Sequence, residues 1–440
     1  MIIRKSVVFV ILLFLFVTAC SSGGGTKESQ LDPSASKDAE PITLTFWAGT
    51  GIKNMEGVES PNYGDWEKEM AKRFAKLHPN VTIDVVSIPW KDIEQKVNVS
   101  VIGNNPPDIL FDNVPMRVMK HARNGLLEEL DDVIKDDRQD WKPSALATGS
   151  IGDKLYALSL YVQPSVILLN KTIFEQKGLT SLLPENRQWT WTQFKDALQQ
   201  ISGGDVYGTT FFAKNNQSDQ INAAWLLSAG GTWANEDYSN YSINGPEGVE
   251  ALEFMMSLMD EGLVAPGSAS MQASDSIELF KQGKVAAIYD VPQVYGLVQG
   301  TDVQPYGIIP VYKDGVAPRM VVTGENGYAL FKQTDAEKKK MAIEFIKFLT
   351  TADNVKAISQ NAFGVPIRES AEYTIENDFG ELIHKIEKLD KVDLGKSVPY
   401  YAQLREKFYP ELQAAFLKAK TPQQALDDFV KAANELAAKK

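Results

Sequence analysis

The sequence predicts an α/β fold, and three observations carry that prediction. From Pro41 onward, short stretches rich in β-branched and aromatic residues alternate with longer ones whose apolar residues recur at helical spacing. The 440 residues are 44% hydrophobic and 23% charged, the composition of a chain that buries large cores. No solenoid-period repeat interrupts the alternation, and at roughly 100–200 residues per domain the length corresponds to two to four domains.

Taken in order, Thr43 to Trp47 reads as a buried first strand. Asp65 to Leu77 is a helix with Trp66, Met70, Phe74 and Leu77 on one face, stopped by His78-Pro79-Asn80. Val81 to Ile88 alternates as a strand, and Trp90, Ile93, Val97 and Val101 recur as a helical stripe. Gly103-Asn104-Asn105-Pro106-Pro107 breaks that helix before the short strand Asp108 to Phe111. Thr190 caps a helix running to Ile201, with Gln193 reaching back in a capping box. Pro246 starts a helix that points Val249, Leu252, Met256 and Met259 inward and closes at Gly262. Ser274 to Gln282 leads through Gly283 into the strand Val285 to Tyr289. Gly324-Glu325-Asn326-Gly327 reads as a turn before the strand Tyr328 to Phe331. The C-terminal stretch is helical, its last helix capped by Thr421 with Pro422 in the first turn.

The N-terminus follows different rules. Arg4 and Lys5 precede eleven uninterrupted apolar residues, Val7 to Val17. Eleven helical residues span about 16 Å, well short of a ~30 Å hydrocarbon core, so residues 1–19 read as a signal peptide and not an anchor. Val17-Thr18-Ala19-Cys20 resembles a bacterial lipobox, in which the thiol is acylated, palmitate-type chains being added, and the leader is cut just before it. Cys20 is the only cysteine, which excludes an internal disulfide and a Cys-based metal site. Two or more acyl chains on one residue anchor stably where one would be marginal. Residues 20–40, rich in Ser, Gly, Lys, Asp and Glu, then form a lipidated N-terminus and flexible tether.

The charge balance excludes further classes. Acidic residues outnumber basic ones 57 to 45, for a formal charge of −12. With no local Lys/Arg cluster, that balance argues against nucleic acid as a partner. There is no Walker loop, no His-Glu-x-x-His and no Gly-x-Ser-x-Gly elbow. Gly49-Thr50-Gly51 lacks the third glycine of a dinucleotide fingerprint, which would fall on Asn54. The three histidines, His78, His121 and His384, suit surface or capping positions better than metal ligation. No enzyme activity, cofactor or metal is expected, although two carboxylates meeting across a cleft would make a glycan-active enzyme the competing reading.

The segments form a recognisable series: Asn104-Asn105-Pro106-Pro107-Asp108-Ile109, Gly125-Leu126-Leu127-Glu128, Leu155-Tyr156-Ala157-Leu158, Leu169-Asn170-Lys171-Thr172-Ile173-Phe174, Trp189-Thr190-Trp191-Thr192-Gln193-Phe194, Trp225 to Gly231, Phe280 to Ala286 and Gly364-Val365-Pro366-Ile367-Arg368. In this order and spacing, from about Ile42 to Ala438, the chain resembles the family 1 extracellular solute-binding proteins of ABC importers, which include the maltose/maltodextrin-binding protein. The resemblance implies a type II periplasmic-binding-protein-like fold: two α/β lobes with a hinge and an interlobe ligand cleft. By that similarity one lobe holds residues 41–161 and 312–365, and the other 162–311 and 366–440. It also implies a monomer that binds a mono- or oligosaccharide by closing on it and presents it to ABC importer permease subunits. Receptors for a polyamine, a glycerophosphodiester or a ferric ion, and a sensory subunit reporting to a kinase, are the alternatives within the fold. Ser21 is not the Asp that retains lipoproteins in a Gram-negative inner membrane, so an outward-facing Gram-positive cell membrane is the simpler location.

A sugar site needs flat aromatics and planar side chains that bond neighbouring hydroxyls. Candidates fall just after strand ends, where open α/β sheets place ligands. Trp47 ends the first strand and is either core or a stacking ring. Asp112 and Asn113 follow the strand Asp108–Phe111, and Tyr161 and Gln163 lie at the crossover. Trp225 matches a helix tryptophan of the family; Glu325 and Asn326 occupy the Gly-bracketed turn. Arg368, after a late hinge crossing, binds solute or braces the lobes. Where many relatives carry Asn-Gly-Pro-Trp, this chain has Asp290-Val291-Pro292-Gln293, so Gln293 replaces a stacking ring that only Tyr289 or Tyr295 could supply. Asp112 likewise stands where the maltodextrin binder has an aromatic. Both departures point away from malto-oligosaccharide and toward a more polar contact.

Overall fold

The computed structural model describes residues 40–439 except 53–54, 56–57, 59–61, 372–377 and 387. The expected signal peptide, Cys20 and the expected tether up to residue 39 lie outside the described residues. Among the described residues no helix is long and apolar enough to cross a membrane.

Among the described residues the strands are, in chain order, β1 (Ile42–Gly49), β2 (Val81–Ile88), β3 (Ile109–Asn113), β4 (Ser150–Ile151), β5 (Lys154–Leu155), β6 (Ala157–Pro164), β7 (Val166–Asn170), β8 (Ala287–Asp290), β9 (Pro305–Ile308), β10 (Arg319–Leu330), β11 (Val365–Pro366) and β12 (Asp390–Val392). The large sheet runs β11-β6-β10-β3-β1-β2, with β12 on the far part of β10. β1 is parallel to β2 and β3, as the intervening helices Asp65–Leu77 and Trp90–Ile102 require. β10 is antiparallel to β3 and β6. The small sheet, β8-β7-β9, is antiparallel.

Two bodies of core follow. In the first, both faces of the large sheet are covered. Phe46, Phe74, Tyr328 and Phe345 interlock on one face, with Phe74 and Phe345 centroids 5.0 Å apart. Ile88, Ile93, Leu110, Val118 and Phe331 fill the other. Asp108 ties the start of β3 to β1, its carboxylate accepting from the Thr45 amide at 2.7 Å and pairing with Lys338 at 2.8 Å. The second core gathers residues 166–311, Met320 and Val321, and the C-terminal helices from Leu382 onward. Ile367 and Ala371 remain in the first core. Along the chain, buried residues of the second core reach Val321 and those of the first reach Ala371.

Several local expectations shift for visible reasons. The capping box at Thr190 and the cap at Thr421 form as read, and Thr421 proves to be a capping box as well, with Gln424 reaching back. The first strand and the strand after Pro107 both extend further, so Asp112 and Asn113 are strand residues. The helix Pro246–Asp260 buries Ala251, Leu252, Met255 and Leu258, a stripe rotated from the expected one. Leu77 is exposed at the end of its helix. Gly324 to Gly327 is no turn: it is the middle of β10, kinked by register shifts at Val322/Gly324 and Asn326/Gly327. Gly327 is required there because a Cβ would lie 2.1 Å from the Leu158 carbonyl oxygen. His121 is buried against Phe331, and desolvation pushes its imidazole down to about 4, so it is a neutral core residue and not a surface one.

Candidate functional site

Three crossings join the two cores: the β6–β7 junction, the continuous strand β10, and the segment after β11. Beside them lies a cleft of about 620 Å³, within the usual range of ligand pockets. The first lobe contributes the carboxyl ends of β1 and β3 and the helix Trp90–Ile102. The second contributes the end of β8, the start of the helix Asp219–Leu227 and Arg405 from the helix Tyr401–Phe416.

On the first-lobe wall Trp90 presents a half-buried ring to the cleft. The ring rests on the Gly49-Thr50-Gly51 backbone, where a Cβ on Gly49 would come within 2.1 Å of it. Those glycines therefore make room for an indole and not for a pyrophosphate. Arg117 lies over the same ring, 5.4 Å from its centroid. It reaches the cleft because a single π-helical turn, Val114–Val118, follows β3. Asp112, 1% exposed, holds the guanidinium through Nε at 2.8 and 2.9 Å and through a further Nη2 bond. Asn113 lines the cleft while its Oδ1 caps that turn, accepting from the Met116 amide at 3.1 Å.

The floor is built from the crossing strands. Tyr161 accepts from Asn326 Nδ2 at 2.8 Å, which leaves its own proton to donate. Burial pushes that phenol up to about 12, so it stays protonated. Gln163 donates to the Ala362 carbonyl at 3.2 Å. Below Tyr161 sits Glu67, 2% exposed, with Oε2 lacking a hydrogen-bond partner among the described residues. Desolvation raises its carboxyl to about 7. Because the folded form holds its proton up to about 7 and the unfolded form loses it near 4.5, stability falls as pH rises through that window. Glu67→Gln is therefore expected to leave Tm unchanged near pH 4.5 and raise stability by about 3 kcal/mol at pH 8. A wild-type–variant difference that stays flat across a pH-Tm series contradicts this.

On the second-lobe wall Asp290 is 7% exposed. Its Oδ1 accepts from the Val291 amide at 2.7 Å, while Oδ2 has no partner among the described residues. Burial pushes this carboxyl up to about 7. Arg405 is compensated: its Nε donates to Asp219 Oδ2 at 2.6 Å and its Nη2 to the Asn216 carbonyl at 2.7 Å, with the Tyr401 hydroxyl on the same carboxylate at 3.2 Å. Gln293 spans the lobes, its Nε2 donating to the Gly51 carbonyl at 2.6 Å.

Six of the sequence candidates thus converge on the cleft: Asn113, Tyr161, Gln163, Asp290, Gln293 and Asn326. Five line no part of it. Trp47 packs into the core cluster of Ile88, Ile93 and Val97. Asp112 acts behind Arg117. Trp225, 1% exposed, is locked among Phe194, Phe211 and Tyr289. Glu325 alternates to the opposite face of β10, where burial raises its carboxyl while Lys396 opposes that rise. Arg368 binds Asp137 and Asp140 at 2.6 Å and the Thr350 carbonyl at 2.7 Å, bracing the first lobe internally. Sequence reading missed Trp90, Arg117 and Arg405. Of these only Trp90 had a signal, a tryptophan opening a helix directly after the strand Val81–Ile88.

A two-walled polar cleft lying beside three crossings is the arrangement expected of a receptor that closes on a solute. The sequence profile of the bacterial extracellular solute-binding proteins matches residues 59–356. The chain belongs to that family. This solute-binding protein is similar to a Brucella abortus protein designated only as a binding protein, with 22% identity over 393 residues, 88% of this chain and 93% of that one. It is 25% identical to the galactooligosaccharide-binding protein of Bacillus subtilis, over 95% of this chain and 94% of the other. A solute-binding protein of Thermotoga lettingae, solved with α-D-tagatose, superposes with a TM-score of 0.76 at 21% identity, covering 90% of this chain and all of its own. The two-lobe periplasmic-binding-protein fold is shared with it.

Proposed function

We propose that the protein is a non-enzymatic, lipid-anchored receptor that captures a sugar in the interlobe cleft and hands it to the permease of an ABC importer. The observation that carries the reading is the chemistry converging on the cleft: an indole face on one wall and, opposite it, a buried carboxylate with one unpartnered oxygen. A pyranose offers an apolar C–H face to the first and hydroxyl donors to the second. The Tyr161 hydroxyl, the Asn113 and Gln163 carboxamides and Arg117 add donors and acceptors between them. The sugar ligand of the galactooligosaccharide-binding relative supports the same class.

The lobes we propose follow the cores, residues 41–164 with 323–371, and 165–322 with 378–439. Cys20 is the proposed acyl acceptor, holding a monomeric receptor on the outer face of the cell membrane, in the setting of a Gram-positive cell.

A thermal-shift screen of the chain from Ser21 onward tests the function, since a ligand that binds only the folded state raises Tm with its occupancy. At 100 times Kd the stabilisation is about 2.7 kcal/mol. A shift with neutral saccharides and none with spermidine, glycerophosphodiesters or ferric citrate is expected. A shift with one of those three alone overturns the sugar reading, and release of sugar fragments during incubation overturns the non-enzymatic one.

A further inference from the structure

The cleft does not end at Gln293. Beyond it a second chamber of about 290 Å³ shares Tyr63, Gln293 and Leu297 with the cleft and is closed by elements of both lobes. The second lobe supplies the helix Val294–Leu297 and Gln299; the first supplies the end of the helix Ala352–Ala362 with Gln360, Asn361 and Phe363.

Its chemistry differs from that of the main cleft. None of its described lining residues carries a formal charge, whereas the cleft holds Lys91, Glu94, Arg117, Asp290 and Arg405. Four of its residues are carboxamides, Gln293, Gln299, Gln360 and Asn361, and two are aromatic, Tyr63 and Phe363. A carboxamide gives two donors and one acceptor in a plane, which suits neighbouring neutral hydroxyls. Among the described lining residues an anionic or cationic group entering here would find no counter-charge.

The far wall is held in place at a backbone cost. Phe363 adopts φ 50° and ψ 39°, the left-handed region, at the C-cap of the helix Ala352–Ala362, where glycine or asparagine usually stands. An L-residue with a Cβ gives up roughly 1–2 kcal/mol there. Its ring stacks on Tyr295 of the other lobe, centroids 5.6 Å apart and planes 27° apart. The Tyr295 hydroxyl is itself fixed, accepting from the Gly307 amide at 2.6 Å. The helix thus ends on an aromatic wall where a glycine would have left the chamber open.

We propose that this chamber is a second sugar subsite, so that the ligand is a chain of at least two neutral sugar units, one beside Trp90 and Asp290 and the next beyond Gln293. The assignment rests on the sugar-receptor reading above. It also gives Gln293 a role: where relatives stack a tryptophan, a carboxamide tied to the Gly51 carbonyl stands at the boundary of the two spaces and lines both.

Isothermal titration of the chain from Ser21 onward with galacto-, gluco- and arabino-oligosaccharides of one to four units tests it, alongside Gln360→Ala/Asn361→Ala and, separately, Gln299→Ala. In the series that binds, affinity is expected to rise at least tenfold from one unit to two. The double variant is expected to lose that increment while binding the single unit as the wild type does, and Gln299→Ala to lose part of it. Equal affinities across lengths, or an increment kept in the double variant, overturn the subsite and leave the receptor reading standing. Binding of no saccharide of any length overturns the receptor reading, and the subsite with it.

Discussion

Asp219→Ala is expected to destabilise the protein by about 3–5 kcal/mol, because it strands the Arg405 guanidinium, 8% exposed, without its counter-ion. Three groups converge on that carboxylate: Arg405 Nε, the Tyr401 hydroxyl and, through Oδ1, the Gln220 amide. The loss reads directly in the urea midpoint. The double change Asp219→Ala/Arg405→Met removes both charges and is expected to recover most of the stability. It is not expected to recover ligand binding, because Arg405 lines the cleft. Equal midpoints for the single and double variants would show that the pair is solvated and that the penalty comes from packing alone.

Asp290→Ala is expected to move stability and binding in opposite directions. The folded protein favours the protonated carboxyl up to about 7, against 3.8 for an unperturbed aspartate, so stability is lost as pH rises between those values. At pH 8 the buried carboxylate is a burden of up to about 4 kcal/mol, and truncating it should raise the ligand-free Tm. The same change removes an acceptor whose hydrogen bonds to ligand hydroxyls are each worth about 1.5–3 kcal/mol, so affinity should fall about tenfold to a hundredfold. Asp290→Asn should share the stability gain and keep part of the affinity. Such opposed effects mark a residue kept for binding at a cost to folding. A lower ligand-free Tm for Asp290→Ala would instead assign Asp290 to the framework.

Most of the architecture was legible in the sequence because its signals are local. The caps at Thr190 and Thr421, the Asp65–Leu77 helix and the first strands depend on near neighbours in sequence. The reading failed where a residue's reason lay across the fold. Gly324 and Gly327 look like turn glycines, yet they stand where β10 presses on Gln163 and Leu158. Glu325 and Asn326, adjacent in sequence, part to opposite faces of one strand. Arg368 finds its carboxylates more than 200 residues away. The Arg405–Asp219 pair likewise spans 186 residues. Trp225 shows the complementary failure: a tryptophan in the expected place whose ring is enclosed by Phe194, Phe211 and Tyr289 in the core.

The two strands that cross between the lobes have a mechanical consequence. β6 and β10 are hydrogen-bonded to each other along the crossing, from Val322↔Pro164 to Ala329↔Ala157, so they behave as one ribbon. Sliding one strand past the other would break the ladder, while twisting or flexing the ribbon across its width keeps it intact. The two register slips in β10 are the ribbon's soft points, and Asn326 sits at one of them, on the cleft floor. A solute that bonded Asn326 would therefore pull on the ribbon at one of its soft points.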